Sequence, residues 1–171
     1  DAPMTRTPKE AMEGRLNLIV GGEKADFDHV QPLLKSFAEN ISHIGGVSSG
    51  HSMKLLHNYV SLGFTAVLTE AAASAGKAGI DAERFVEVLA KGGGGSVVLD
   101  RLSPFILEND PSGLMFSISN AHKDIGYYNK MADELNAERS TSAGVLALLQ
   151  KQMEADEGEA LLPELVNLLQ Q

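Results

Sequence analysis

Cysteine is absent from the 171 residues, which excludes a disulfide framework, a thiolate nucleophile and any cysteine-ligated metal centre. Tryptophan is absent as well and aromatic residues reach only 5%, so there is no platform of stacking side chains for single-stranded nucleic acid. Basic residues are outnumbered, 14 Lys and Arg against 23 Asp and Glu, for a formal net charge of -9. That balance leaves no basic stripe for an extended nucleic-acid surface. No apolar run approaches the roughly 20 residues that a membrane-spanning helix needs. The opening Asp1-Ala2-Pro3 has neither the basic stretch nor the apolar core of an export signal. The expectation is a cytoplasmic protein with no nucleic-acid and no membrane partner.

Several reaction signatures are missing too. The glycines at 92–95 follow no strand and have neither the G-x-G-x-x-G spacing nor the Lys-Ser/Thr pair of a phosphate loop, and they read as a helix-breaking turn. His43, His51, His57 and His122 show no HExxH-type spacing, so no metal site is expected.

What is present is helix. With 43% hydrophobic residues, the chain can bury the core of one domain, or of a small domain plus part of another. Arg15 to Val20, closed by Gly21-Gly22, reads as a strand. Asp26 reads as the N-cap of a helix reaching about Asn40, with Phe27, Val30, Leu33, Leu34 and Phe37 on one apolar face. A short strand is predicted over 41–44. From Ser49 the pattern is helical to about Gly79, and Ala71 to Gly76 would admit a closely packed neighbour. Further helices are predicted over 82–91 (capped by Asp81, with Phe85, Val88 and Leu89 inward), 96–107, 118–136, 141–155 and 159–169. The fold class is therefore mainly α, an all-helical domain over 49–171 with its long helix at about 50–78, preceded by an α/β remnant over 1–48.

The start of the long helix holds the strongest chemical signal. Gly50-His51-Ser52-Met53-Lys54-Leu55-Leu56-His57-Asn58 places a lysine and an asparagine four residues apart, on one helix face. An ammonium that donates a proton, beside a carboxamide that orients the same small substrate, suits acid/base chemistry.

Taken in order, Asp1-Ala2-Pro3-Met4-Thr5-Arg6-Thr7, Gly14-Arg15-Leu16, Val20-Gly21-Gly22, the segment Gly50 to Asn58, Glu70-Ala71, Gly79-Ile80-Asp81, Phe116 and Lys123-Asp124 resemble the β-hydroxyacid dehydrogenase family. This family comprises 3-hydroxyisobutyrate dehydrogenase, tartronate semialdehyde reductase and the 6-phosphogluconate dehydrogenase-like enzymes. The resemblance implies a 6-phosphogluconate-dehydrogenase-like C-terminal helical domain and, over 1–48, the last part of a Rossmann domain. It implies an NAD- or NADP-dependent enzyme whose main dinucleotide-binding domain is not in this chain, so that the chain alone is expected to be inactive. It carries catalytic roles to Lys54 and Asn58, substrate binding to Thr5, Arg6, Thr7 and Asp124, and cofactor contact to Phe116 and Lys123. The expected partners are a small anionic hydroxyacid or semialdehyde and further copies of the chain, as a homodimer or homotetramer through the helical domain.

Two departures from the family pattern matter. Where many members read Ser-Gly-Gly in the substrate loop, this chain has Thr5-Arg6-Thr7, and members resembling sulfolactaldehyde reductase have an Arg-Thr pair in this loop. A guanidinium there adds a fork of donors for a carboxylate or sulfonate tail. Near the C-terminus, Gly158-Glu159-Ala160-Leu161-Leu162-Pro163 replaces a Gly-x-x-Asp signature. Non-catalytic alternatives are a helical assembly module, of which loss of the lysine would be the sign although Lys54 is present, and a sensor that uses the dinucleotide without turnover.

Overall fold

The computed structural model describes residues 1–171, apart from the side chain of Pro8. It is 64% helical with one three-stranded sheet, and it divides into two compact units, Asp1–Asn58 and Tyr59–Gln171. Among the described residues no helix is long and apolar enough to cross a membrane.

The first unit holds the sheet. Strands β1 (Met4–Thr5), β2 (Leu16–Gly21) and β3 (Ala38–Gly45) lie in that order, with β1 antiparallel and β3 parallel to β2. Parallel pairing requires a crossover, here helix α2 (Lys24–Leu34). Phe27 from α2 packs with Leu16, Leu18, Val20 and Ala38 to form this unit's core.

The crossover corrects three expectations. The N-cap is Glu23, not Asp26, which lies inside the first turn, where its charge favours the positive end of the helix. The helix stops at Leu34, two residues after Pro32, because Ala38 already pairs with Leu16 and β3 must begin there. Of the supposed apolar face only Phe27 is buried; Val30, Leu33 and Phe37 are exposed. A helix unforeseen from periodicity, α1 (Pro8–Met12), follows the loop after β1.

Helix α3 (Ser49–Lys77) begins in the first unit and ends in the second, which continues with α4 (Ala82–Lys91), α5 (Val97–Glu108), α6 (Ile118–Glu134) and α7 (Ser140–Glu154). Leu62 and Ala66 of α3, Ile118, Ala121 and Ile125 of α6, and Val145 and Leu149 of α7 form its largest cluster, closed by Leu162 and Leu165. The small residues of α3 are used as expected of them: Ala72, Ala73 and Ala75 are buried, and a Cβ on Gly76 would stand 2.6 Å from the Gln170 amide nitrogen. In α4, Val88 is 68% exposed rather than inward.

Residues 159–169 do not form one helix. Leu161 bridges to Ser117, a 3-10 turn spans Leu162–Glu164 and only Leu165–Leu168 is α-helical (α8). The reason lies at α6, whose first amides lack intrahelical acceptors. Ile118 N donates to the Ala160 carbonyl (2.9 Å) and Ser119 N to that of Gly158 (2.8 Å), while Leu162 N donates to the Phe116 carbonyl (2.8 Å). The segment that departs from the family signature thus accepts the first two amides of α6, beside the N-cap Ser117, whose side chain accepts from Asn120 N.

A buried polar pair joins α6 to α7. Asn129 donates to the carbonyls of Ile125 (3.0 Å) and Ser142 (3.3 Å), and the Ser142 hydroxyl donates to Asn129 Oδ1 (3.1 Å). Replacing Asn129 by Ala deletes the side-chain hydrogen bonds that tie α6 to α7, so Asn129→Ala should destabilise the full-length protein by about 1–3 kcal/mol. Urea denaturation reads this, and an unchanged midpoint would show that the pair contributes nothing.

Candidate active site

Lys54 and Asn58 stand one turn apart near the start of α3, both half-buried. The imidazole Nδ1 of His57 lies 3.3 Å from Asn58 Oδ1. The helix begins without an acidic residue in its own first turn, and the residue before it, Ser48, has φ +72°. Its cap comes instead from Asp1. One carboxylate oxygen accepts from Ser48 N (2.8 Å), the other from His51 N (2.6 Å), and His51 Nδ1 is 3.2 Å from that second oxygen. The Asp1 side chain is 10% exposed.

Two glycines make room for this contact. A Cβ on Gly21 would lie 2.6 Å from Asp1 Oδ1 and 2.6 Å from Gly50 N; a Cβ on Gly50 would lie 2.6 Å from the Ile19 carbonyl oxygen and 2.8 Å from Asp1 Oδ2. Only hydrogen fits at both positions.

The loop over Thr5, Arg6 and Thr7 links β1 to α1. Thr5 pairs with Asn17. The Thr7 backbone N–H donates to Glu10 Oε2 (3.0 Å) and its hydroxyl donates to the same oxygen, a capping arrangement that lowers the Glu10 pKa to about 2. Arg6 has φ +79°, a left-handed conformation costly for a side chain other than glycine. Its guanidinium donates to the Arg15 carbonyl and pairs with Glu39 of β3.

In the second unit, Phe116 packs against the main cluster just before α6. Lys123 and Asp124 sit in the second turn of α6, 3.4 Å apart, with the lysine 51% and the aspartate 15% exposed; Lys123 Nζ is also 3.5 Å from Asn120 Oδ1. An exposed, loosely held ammonium is a fitting group for a dinucleotide phosphate. One turn on, Tyr128 stacks on Tyr59, centroids 4.1 Å apart, and burial raises its pKa.

His43 stacks on Phe27 with Nε2 2.8 Å from the Gly22 carbonyl oxygen. Among the described residues no group of three or more His, Asp or Glu is placed to hold a metal ion. The residue that motif reading under-used is Asp1, known only as part of a substrate loop. The acid-free first turn of α3 was its one local signal.

The family model described as NAD-binding of NADP-dependent 3-hydroxyisobutyrate dehydrogenase matches residues 48–169, and the family model described as the NAD binding domain of 6-phosphogluconate dehydrogenase matches 1–45. The 2-(hydroxymethyl)glutarate dehydrogenase of Eubacterium barkeri is 32% identical over 74% of this chain and 42% of its own length. The 3-sulfolactaldehyde reductase of Escherichia coli is 27% identical over 80% of this chain and 46% of its own. The chain thus spans less than half the length of these relatives. In fold it is similar to Mycobacterium tuberculosis 3-hydroxyisobutyrate dehydrogenase with L-serine, with a TM-score of 0.88 at 22% identity, covering 100% of this chain and 60% of that one.

Proposed function

Because the chain belongs to the β-hydroxyacid dehydrogenase family, we propose that the whole protein is an NAD(P)-dependent oxidoreductase interconverting a short, anionic β-hydroxyacid and its semialdehyde. The observation that carries this reading is the half-buried pair Lys54 and Asn58, one turn apart on a helix whose first turn is fixed by Asp1. The nicotinamide supplies or accepts the hydride when bound. This chain's residues handle the proton. In reduction, the Lys54 ammonium stabilises the charge growing on the carbonyl oxygen and then protonates it. Oxidation returns the same proton to the amine. Asn58 holds the substrate oxygen or the lysine in register, and Lys123, together with Phe116, faces the dinucleotide. Asp124 helps shape the substrate site.

Substrate choice is assigned to the loop of Thr5, Arg6 and Thr7. Arg6 presents a fork of donors, and its pairing with Glu39 joins two partly exposed side chains (27% and 45%). Such a pair is worth about 0–1 kcal/mol, so a substrate carboxylate or sulfonate can displace Glu39 at small cost. The relative that acts on 3-sulfolactaldehyde, by its name, supports an anionic tail. The strained backbone of Arg6 gives the reading a distinctive signature, since strain held at a functional residue is released when that residue is removed.

Arg6→Gly in the full-length protein should raise KM for anionic semialdehydes about tenfold or more and leave neutral aldehydes unchanged. At the same time it should leave stability equal or higher. Equal effects on anionic and neutral substrates would remove Arg6 from recognition. The homo-oligomer implied by the family would bury the exposed Val60, Phe64 and Val67 of α3, which share one helix face.

A further inference from the structure

Long helices usually carry their own N-terminal cap, a Ser, Thr, Asp or Asn side chain that folds back onto the third amide. Helix α3 does not. Ser48 precedes it in a left-handed conformation and spends its own amide on Asp1. The third amide, that of His51, is taken by the other Asp1 oxygen. The anion at the positive end of this 29-residue helix therefore comes from 47 to 50 residues away in sequence, in the segment entering β1. A carboxylate is favoured there twice, by two charge-assisted hydrogen bonds and by the helix dipole.

His51, Lys54 and Asn58 are spaced i, i+3 and i+7, so they share one face. The residue that Asp1 grips by its amide, and meets at 3.2 Å through its imidazole, stands one turn before Lys54 on that same face. Gly21 and Gly50 bring β2 and α3 close enough for the grip, and any side chain at either would displace the carboxylate.

We propose that Asp1 is a positioning residue for Lys54: by capping the first turn of α3 it fixes the register and direction in which the ammonium is presented. The inference rests on Lys54 being the proton donor. Asp1 touches neither substrate nor dinucleotide in this role. Its removal misplaces a catalytic group without removing a binding contact, and misplacement by about 1 Å costs on the order of a hundredfold in rate.

The test uses the full-length protein with Asp1→Ala, Asp1→Asn and Lys54→Ala measured side by side, each rate referred to folded sites titrated with the dinucleotide. Asp1→Ala should lower kcat about tenfold to a hundredfold with KM and dinucleotide affinity within about twofold. Asp1→Asn, isosteric and able to accept only one of the two amides, should fall between. Amide hydrogen exchange of Asp1→Asn should accelerate at Ser48 and His51, which reads the loss of the cap even where Asp1→Ala fails to fold. Wild-type kcat in Asp1→Asn despite accelerated exchange would overturn the proposal, as would a rise in KM with kcat unchanged, which would make Asp1 a substrate contact. Activity retained by Lys54→Ala would instead overturn the reading on which it rests.

Discussion

Lys54→Ala in the full-length protein is expected to reduce turnover by about a hundredfold to ten-thousandfold, the range that general acid/base groups contribute, while the dinucleotide binds as before. The separation follows from position. Lys54 lies on α3 within Asp1–Asn58, whereas the lysine assigned to the dinucleotide, Lys123, lies on α6 within Tyr59–Gln171. In the proposed mechanism, removing the Lys54 ammonium would delete both the charge that stabilises the oxyanion and the proton that quenches it. Because the interaction matures in the transition state, the loss should appear in kcat and in kcat/KM alike. Turnover within a few-fold of wild type would take Lys54 out of the mechanism.

The second large effect is expected of a single methyl group added one turn before Lys54. In Gly50→Ala the new Cβ would sit 2.6 Å from the Ile19 carbonyl oxygen and 2.9 Å from Gly21 N. Both neighbours are backbone, so neither can swing aside as a side-chain tip could, and the start of α3 must move off β2. Overpacking of this kind costs about 1–3 kcal/mol. The same shift pulls His51 N from the Asp1 oxygen, so stability and kcat should fall together, as denaturation and steady-state rates on one preparation would read. A variant with native stability and native kcat would show that the close approach of β2 to α3 has no part in holding the site.

Much of the helical unit could be read from the chain because its signals are local. Asp81 and Ser96 stand where α4 and α5 begin and accept from the amides of Arg84 and Leu99, and the residues 92–95 break the helix where α4 ends at Lys91. The misread elements are those governed by distant partners. Periodicity ran α2 on to about Asn40, but the parallel pairing of Ala38 with Leu16 ends it early. Residues 159–169 look helical in isolation, yet the unsatisfied amides of α6 draw 158–160 into hydrogen bonds with its first turn. Helix α1 is an instructive omission, since Thr7 and Glu10 form the Ser/Thr-x-x-Glu signature of a capping box and the following run is merely too short to show a period.

The candidate site divides along the same line. Lys54 and Asn58 were legible because four-residue spacing on a helix is a geometric certainty. Arg6 was legible as a cation in a loop, but its positive φ and its pairing with Glu39 were not, because β3 supplies that partner. The acid-free first turn of α3 signals that its cap comes from elsewhere, but no local pattern joins residue 1 to residues 48 and 51, so Asp1 could not be read as that cap.

The most direct test of the central claim is the turnover of reduced dinucleotide by the full-length protein, followed by loss of nicotinamide absorbance. Its substrates are short semialdehydes bearing a carboxylate or a sulfonate, with neutral aldehydes of equal length beside them. Steady oxidation with at least one anionic semialdehyde, much faster than with its neutral counterpart, is the expected result. Tight dinucleotide binding without turnover of any of them would contradict the dehydrogenase reading and leave a sensor in its place.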